Sequence, residues 1–467
     1  MDELEAVELK LGKVYEDNVT FRFDSEFFKK EYLGIDRTIE QNHTIKLDNL
    51  SNWITQGANP KFSEGNIPSL TGRNINSEKV NYENADIIDE KEYKNLIRFQ
   101  LQLNDILITL KGKGAIGKVS YVTENRKAIF SRNIGLIRVK KEKISPLYVY
   151  LFLISKFGVK LIEKGETGGT GQSTLTTTYL KHISMPMVSN SFQLKLNNLT
   201  KLAHKNQSKS KALYQEAETI LLKELDLLDF KPTQENIAIK SFAESFLATG
   251  RLDSEYYQPK YDEIIEKIKA YKGGVDTIEK LCTLKDSNHK PIKDKFYQYI
   301  ELSNIGVTGD ITGCTYNQGQ SLPSRARRLI NSNDVIISSI EGSLEKIALV
   351  KEEFDNSLCS TGFYVVRSSK INASTLLVLF KNKMMQQILK QNCSGTILTA
   401  MNKDEFLNIA IPLIDIGIQK EIETKIKTSF QLKSKSKNLL ELAKKAVEMA
   451  IEEGENRALE FIGENYE

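Results

Sequence analysis

The sequence predicts an α+β protein: two similar mixed α/β globular domains separated by two long helices that pack on each other, with an internal repeat. Three observations predict it. The chain of 467 residues is written twice, at an offset close to 229. Each copy opens with short β-type runs between turn residues. Each copy closes with more than 30 residues free of glycine and proline.

The repeat is read first, because a missed repeat mis-assigns the fold. Arg22-Phe23-Asp24-Ser25-Glu26-Phe27-Phe28 returns as Arg251-Leu252-Asp253-Ser254-Glu255-Tyr256-Tyr257. Asn74-Ile75 returns as Asn304-Ile305, Asn104-Asp105-Ile106-Leu107-Ile108 as Asn333-Asp334-Val335-Ile336-Ile337, and Arg138 as Arg367. Later the offset settles at 226: Pro186 with Pro412, Gln193 with Gln419, and Ser208-Lys209-Ser210-Lys211 with Ser434-Lys435-Ser436-Lys437. Loop insertions produce such drift. Each copy exceeds 200 residues, too long for a solenoid unit, so each is a domain plus an appendage.

Within the first copy, Asp105–Leu110, Lys118–Val122 and Ile134–Val139 read as strands, followed by an amphipathic helix near Pro146–Glu163. The second copy repeats the order with Asp334–Ile340, Ile347–Val350 and Phe363–Arg367, then a helix from about Ala373 to Lys390. Residues 191–229 and 418–453 read as long amphipathic helices. Leu194, Leu199, Leu202, Leu213, Ile220, Leu221, Leu225 and Leu228 mark the first stripe. Ile422, Ile426, Phe430, Leu439, Ala443, Val447 and Ala450 mark the second. At 1.5 Å per residue each spans roughly 50 Å. A stripe of that length is buried most economically on a second helix. The expected parts are an N-terminal helical arm (1–19), a first globular domain (20–190), a long helix and linker (191–245), a second globular domain (246–414), and a long helix with an acidic tail (415–467).

Composition narrows the classes. Hydrophobic residues are 40% and charged residues 27%, so ordinary cores are expected. The apolar run Leu147–Ile154 is too short to span a bilayer, and no membrane association is expected. The acidic start, Met1-Asp2-Glu3-Leu4-Glu5, is unlike a secretory signal. Cys282, Cys314, Cys359 and Cys393 are widely spaced without a CxxC pair, which disfavours zinc ribbons and disulfide scaffolds and fits a reducing, cytoplasmic setting. Net charge is only +4, yet residues 91–164 hold 16 Lys/Arg against 5 Asp/Glu. A basic surface is expected there.

Two glycine-rich segments invite misreading. Gly112-Lys113-Gly114-Ala115-Ile116-Gly117-Lys118 satisfies GxGxxG and nearly a P-loop. Both sites need a helix to start at the last glycine, where its amides bind phosphate. Here Val119-Ser120-Tyr121-Val122 is strand-like, and Val119 cannot ligate Mg²⁺. A basic hairpin facing phosphates is the better reading. Gly165-Glu166-Thr167-Gly168-Gly169-Thr170-Gly171-Gln172-Ser173-Thr174 has its counterpart near Cys393-Ser394-Gly395-Thr396. It reads either as a flexible helix-to-strand connection or as a loop that approaches a sugar–phosphate chain. For catalysis the inventory is thin. His43, His182, His204 and His289 have no counterparts across the repeat, and HExxH, GxSxG and spaced Cys/His clusters are missing from the sequence. Asp105 and Asp334 recur but precede strands, where forming a turn is the simpler role.

The doubled pattern resembles the DNA-specificity subunit of type I restriction–modification systems. The stretches that carry the resemblance are Asp334-Val335-Ile336-Ile337-Ser338-Ser339-Ile340-Glu341-Gly342-Ser343 with Lys346-Ile347-Ala348, then Cys359-Ser360-Thr361-Gly362-Phe363-Tyr364-Val365. Ser394-Gly395-Thr396 followed by Asn408-Ile409-Ala410-Ile411-Pro412 is a third. Asn104–Ile108, Ile116-Gly117-Lys118 and Ile183-Ser184-Met185-Pro186 are the first-copy versions. Gln193 and Gln419 stand without the glutamate that often precedes them in the family. The resemblance implies a non-catalytic chain whose two target-recognition domains each read one half of a bipartite asymmetric site on double-stranded DNA. It implies that the two long helices form an antiparallel coiled coil relating the domains as an internal pseudo-twofold repeat, with two modification (methyltransferase) subunits docked on the coiled coil and restriction subunits beside them. It implies no cofactor in this chain, with S-adenosylmethionine, ATP and Mg belonging to the partners. The other reading is a coiled-coil scaffold with peptide- or glycan-binding globules.

Contacts divide into positioning and reading. Lys111, Lys113 and Lys118 are expected on phosphate, with Lys346 the second-copy equivalent of Lys118. Gly171, Gln172 and Ser173, and in the second copy Ser343, Ser394 and Thr396, are expected beside the DNA backbone. Arg325, Arg327 and Arg328 cluster in a Ser/Pro loop, open to phosphate binding or guanine reading. Arg73, Asn74 and Asn76 follow a Thr-Gly turn and are the expected base readers, since arginine pairs with guanine and asparagine with adenine.

Overall fold

The computed structural model describes residues 6–16, 18–76, 80–112, 114–168, 173–394 and 399–466. The chain divides into two compact units, residues 1–205 with 435–467, and residues 206–434. Each unit holds one globular domain and one half of each long helix.

The globular domain of the first unit is built on a four-stranded antiparallel sheet. Its spatial order is Ser51–Gln56, Ile134–Val139, Ile106–Thr109, Val119–Tyr121. A second sheet pairs Asp86–Ile88, Ile67–Leu70 and Ile129–Phe130, the last pair parallel. Thr44–Lys46 and Ser184–Pro186 pair where the domain opens and closes. The second unit repeats this plan. Thr283–Leu284, Phe363–Arg367, Val335–Ser338 and Ile347–Leu349 form one sheet. Thr315–Gln318, Phe296–Ile300, Ser357–Ser360 and Ala326–Ile330 form the other. Val275–Thr277 and Ala410–Pro412 close it, so the duplicated prolines end equivalent strands. Ala326–Ile330 is an added strand. At its offset in the first domain stands a helical turn, Ile97–Phe99, followed by a single bridge, Gln100 with Ile129, where the second domain has Leu329 with Leu358.

The strands fall where the β-type runs and turn residues placed them, but each expected single helix is two. Pro146–Ile154 and Lys156–Gly165 break at Ser155, and Ala373–Lys381 and Lys383–Gln391 break at Asn382. The reason is local capping. The Ser155 hydroxyl donates to Phe152 O at 2.6 Å and accepts from Gly158 N at 3.3 Å. Asn382 Oδ1 accepts from Met384 N and Met385 N, both at 3.0 Å. Such side chains offer the backbone a competing bond and start a new helix. Pro146–Ile154 is also not amphipathic: Leu147 through Leu153 are all buried.

The long helices are Asn190–Glu224 and Ile416–Glu453, 35 and 38 residues. They pack together within each unit. In the first, Phe192, Leu196, Leu199 and Ala203 meet Leu439, Ala443, Ala446, Val447 and Ala450. In the second, Tyr214, Ala217 and Leu221 meet Ile422, Ile426 and Phe430. Ser210 Oγ lies 3.0 Å from Ser429 Oγ and Glu216 Oε2 lies 2.7 Å from Lys425 Nζ, so the numbering runs in opposite directions. The duplicated Ser-Lys-Ser-Lys motif is now explained. Its second serine faces the other helix in each copy, with Ser429 Oγ donating to Ser210 O at 2.8 Å and Ser436 Oγ to Ala203 O at 2.7 Å. Small residues let the backbones approach, and each buried hydroxyl keeps a partner. Leu194 and Leu228, counted in the expected stripe, are 60% and 42% exposed, and Leu228 lies past the helix end. The acidic tail forms a further helix, Glu455–Asn465, whose Ala458 and Ile462 join the core of the first unit.

Candidate nucleic-acid interface

The duplicated polar residues are framework. Asn104 and Asn333 sit at φ +75° and +68°, the left-handed turn that asparagine tolerates. The next residue, Asp105 or Asp334, is buried. Asp105 accepts from Arg138 Nε and Nη2 at 2.8 Å each and from Gln102 N at 2.7 Å. Asp334 accepts from Arg367 Nε at 2.7 Å, Lys285 Nζ at 2.6 Å and Asn331 N at 2.8 Å. The expected turn role holds, with an ion pair across the sheet added to it. Sequence reading missed that pair, although both partners recur at the same spacing. Gln193 Oε1 accepts from Ser145 N and Gln419 Oε1 from Asn372 N, each at 2.7 Å, tying helix to domain. Arg22 with Asp24 and Arg251 with Asp253 form the same local pair in each copy.

Around this framework lies the glycine-rich hairpin. Thr109 N donates to Lys118 O at 2.9 Å and Gly117 N to Thr109 O at 3.0 Å. Gly112, Gly114 and Gly117 all have positive φ, so the glycines serve the turn, and the strand Val119–Tyr121 follows directly. No helix starts there to hold a nucleotide. Lys111 and Lys118 are exposed. Lys111 bridges Thr174, which sets Ser173 of the second glycine-rich segment beside the hairpin. The Thr71–Asn76 turn packs on its other side, where Asn76 N donates to Ser120 Oγ at 2.8 Å. Lysines, loop and turn thus converge. The second unit repeats the convergence: Ile340 bridges Ala400, and Lys346 Nζ donates to Ile305 O at 3.4 Å.

Several expected contact residues are differently placed. Asn74 is 1% exposed, and its amide is engaged inside its own turn, accepting from Thr71 N at 2.9 Å and donating to Asn81 O at 2.9 Å. Asn304 caps the equivalent turn. Asn74 is therefore a duplicated framework residue and presents no free edge to a base. Arg73 is exposed and paired with Asp86 at 2.6 Å. Lys346 is half-buried, unlike Lys118, because the adjoining turn covers it. Ser343 Oγ lies 2.9 Å from Ser338 Oγ, closing a turn, and Ser394 Oγ accepts from Asn402 Nδ2 at 3.2 Å. Only Arg325 stays in the Ser/Pro loop. Arg327 and Arg328 lie on the added strand, with Arg327 Nε donating to Ser324 O at 2.9 Å. Arg328 Nη1 is buried without a hydrogen-bond partner among the described residues. It lies near Asp286, whose carboxyl the Lys403 ammonium holds below the usual range, with Arg328 adding to the effect. Lys113, Gly171, Gln172 and Thr396 lie outside the described residues.

The second domain is also tied to its own half of the helix pair by Lys433 Nζ, 2.7 Å from Asp310 Oδ1. Burial pushes the Asp310 carboxyl up, but Lys433 and a hydrogen bond from Thr308 more than offset this and hold it below the usual value. Among the described residues no group of three or more His, Cys, Asp or Glu side chains could hold a metal. No helix there is long and apolar enough to cross a membrane. The four cysteines are free thiols.

Comparison with known proteins places this arrangement. The family model described as type I restriction modification DNA specificity domain matches residues 59–195 and 274–442, more than half of the chain. A protein of Methanocaldococcus jannaschii described as a type I restriction enzyme MjaX specificity subunit is 21% identical over 446 residues, covering 91% of this chain and 95% of that one. Among solved structures, the type I restriction–modification S subunit from M. genitalium is 13% identical with a TM-score of 0.43, covering 88% of this chain and 95% of that chain. The HsdS subunit from Thermoanaerobacter tengcongensis is 11% identical with a TM-score of 0.28, covering 88% and 97%. With the family model matched once in each copy of the repeat, the chain belongs to the type I restriction–modification DNA specificity subunits, the non-catalytic members of their complexes.

Proposed function

We propose that each globular domain reads one half of a bipartite, asymmetric DNA site, that the paired helices set the gap between the halves, and that two modification subunits dock on those helices. As a specificity subunit the chain assembles into a type I complex that binds DNA. The division of labour is our reading. The observation that carries it is the duplication itself, with matching frameworks and different outer residues. Two equivalent frames suit two stretches of one duplex, and unlike surfaces suit unlike sequences. The exposed lysines of the hairpin suit phosphate, which fixes register without reading sequence. A two-domain reader meets its half-sites about one turn apart, roughly 34–36 Å. Helices of 35 and 38 residues extend for roughly 50 Å and are long enough to set that spacing.

The test is a spacer change. Four residues inserted into both helices, after Lys205 and after Ser434, add roughly 6 Å to each. Mapping methylated adenines in a host carrying this variant should return the same two half-sites with a longer gap. An unchanged gap in a variant that still methylates refutes the ruler.

A further inference from the structure

Resting on the reading of the second domain as a DNA half-site reader, we propose that this domain carries an aromatic wedge, Phe296 stacked on Tyr316, which enters the duplex at a base step. The two rings stack with centroids 5.1 Å apart at 16°. Their residues are 48% and 65% exposed. They sit on neighbouring strands, where Phe296 pairs with Gln318 and Gln298 with Tyr316, so the rings are diagonal neighbours on one face. Thr315, Tyr316 and Asn317 form an exposed edge. An exposed apolar pair at a sheet edge is a contact surface in search of a partner.

Charge identifies the partner. The loop leading into Phe296 carries Lys290, Lys293 and Lys295, all exposed. Its backbone is strapped on both sides. His289 N donates to Arg327 O at 2.7 Å, and Ile292 N to Tyr297 Oη at 3.1 Å. Gly319 N donates to Lys295 O at 2.9 Å and Gln320 N to Lys293 O at 3.1 Å. Gly319 is required there, since a Cβ would fall 2.1 Å from Ile292 O. The loop is thus a fixed mount that runs from the arginine strand to the aromatic pair. Cations on a rigid rim beside stacked rings match a polyanion with a stacked interior. Phosphates meet the lysines, and the rings part a flexible base step and kink the duplex. The first domain lacks the device. At the register position of Tyr316 stands Ile87, half-buried and paired with Pro68, so no ring pair forms there. The distortion is therefore expected in one half-site only.

The test uses the full chain assembled with its modification subunits, on a duplex bearing the mapped target with 2-aminopurine placed along the second half-site. The parent should raise fluorescence at one step. Phe296→Ala with Tyr316→Ala should abolish the rise and weaken binding about tenfold, with the dependence of log K on log salt unchanged. Phe296→Tyr with Tyr316→Phe should keep both. Replacing the three lysines by alanine should reduce the salt slope by about 2–3. Parental binding and fluorescence in the double-alanine complex, with the slope lowered by the lysine variant, would overturn the wedge and leave the DNA reading intact. A salt-independent parent would instead overturn the DNA reading.

Discussion

The two globular domains share a skeleton and differ in what they show to solvent. Arg138 grips Asp105 in one, and Arg367 grips Asp334 in the other, at the same sheet position. Asn74 and Asn304 cap the same turn. Yet where the second domain adds a strand with Arg327 and Arg328, the first packs Phe99 against Trp53 and Phe130. Where the second presents Tyr316, the first has the half-buried Ile87 opposite Pro68. The comparison teaches that the recurring polar residues hold the fold, which leaves the residues that fail to recur as the ones we propose for recognition.

The strongest way to break this comparison is to attack what recurs. Asp105→Ala and Asp334→Ala each remove a buried carboxylate that holds a partly exposed arginine and a turn, at a cost of about 1.5–3 kcal/mol. Equal losses in urea unfolding are expected for the two domains. A neutral result at either position would mean that the recurrence is not structural. Next comes what does not recur. Arg325→Ala, at the exposed arginine of the Ser/Pro loop, should cost about 1–3 kcal/mol in discrimination and relax one base in one half of the methylated motif. Relaxation in both halves would contradict separate readers. A third contrast concerns attachment. The Asp310–Lys433 pair lies in the second unit. Because the native carboxyl titrates below its ordinary value of 3.8, its stabilisation is complete above that pH and is lost as pH falls through the lowered native value. Asp310→Asn should lower stability at pH 7 by about 1–2 kcal/mol and flatten the acid limb of the unfolding curve. An unchanged acid limb would refute the pair. The smallest effect separates the hairpins. Lys118→Ala should reduce the salt slope by about 0.9, and Lys346→Ala by less, because Lys346 is half-buried on Ile305 O.

Much of this architecture was legible in the residues. The β-type run Ile134–Val139 and the breaker-free run of the second long helix left little choice of element. What the sequence concealed depended on partners distant in the chain. Ser155 and Asn382 read as ordinary helix residues until their caps are seen. Asn74 has the chemistry of an adenine reader but is buried by its own turn, and its recurrence as Asn304 was the available clue. Lys346 matches Lys118 in type and offset, yet a neighbouring turn covers only one of them. The lysine loop over 288–295 lies outside the basic stretch of the first copy, and it is held beside the Tyr316 strand by hydrogen bonds from Gly319 and Gln320, just past that strand's end. The acidic tail was not read as a packed helix, because Ala458 and Ile462 are too few to mark a face.

The most direct measurement replaces the second domain, residues 246–414, with a copy of the first, residues 20–190, and maps methylated adenines. A reader made of two separable halves yields a symmetric target whose halves both match the original first half. A target that keeps its original asymmetry would contradict the account.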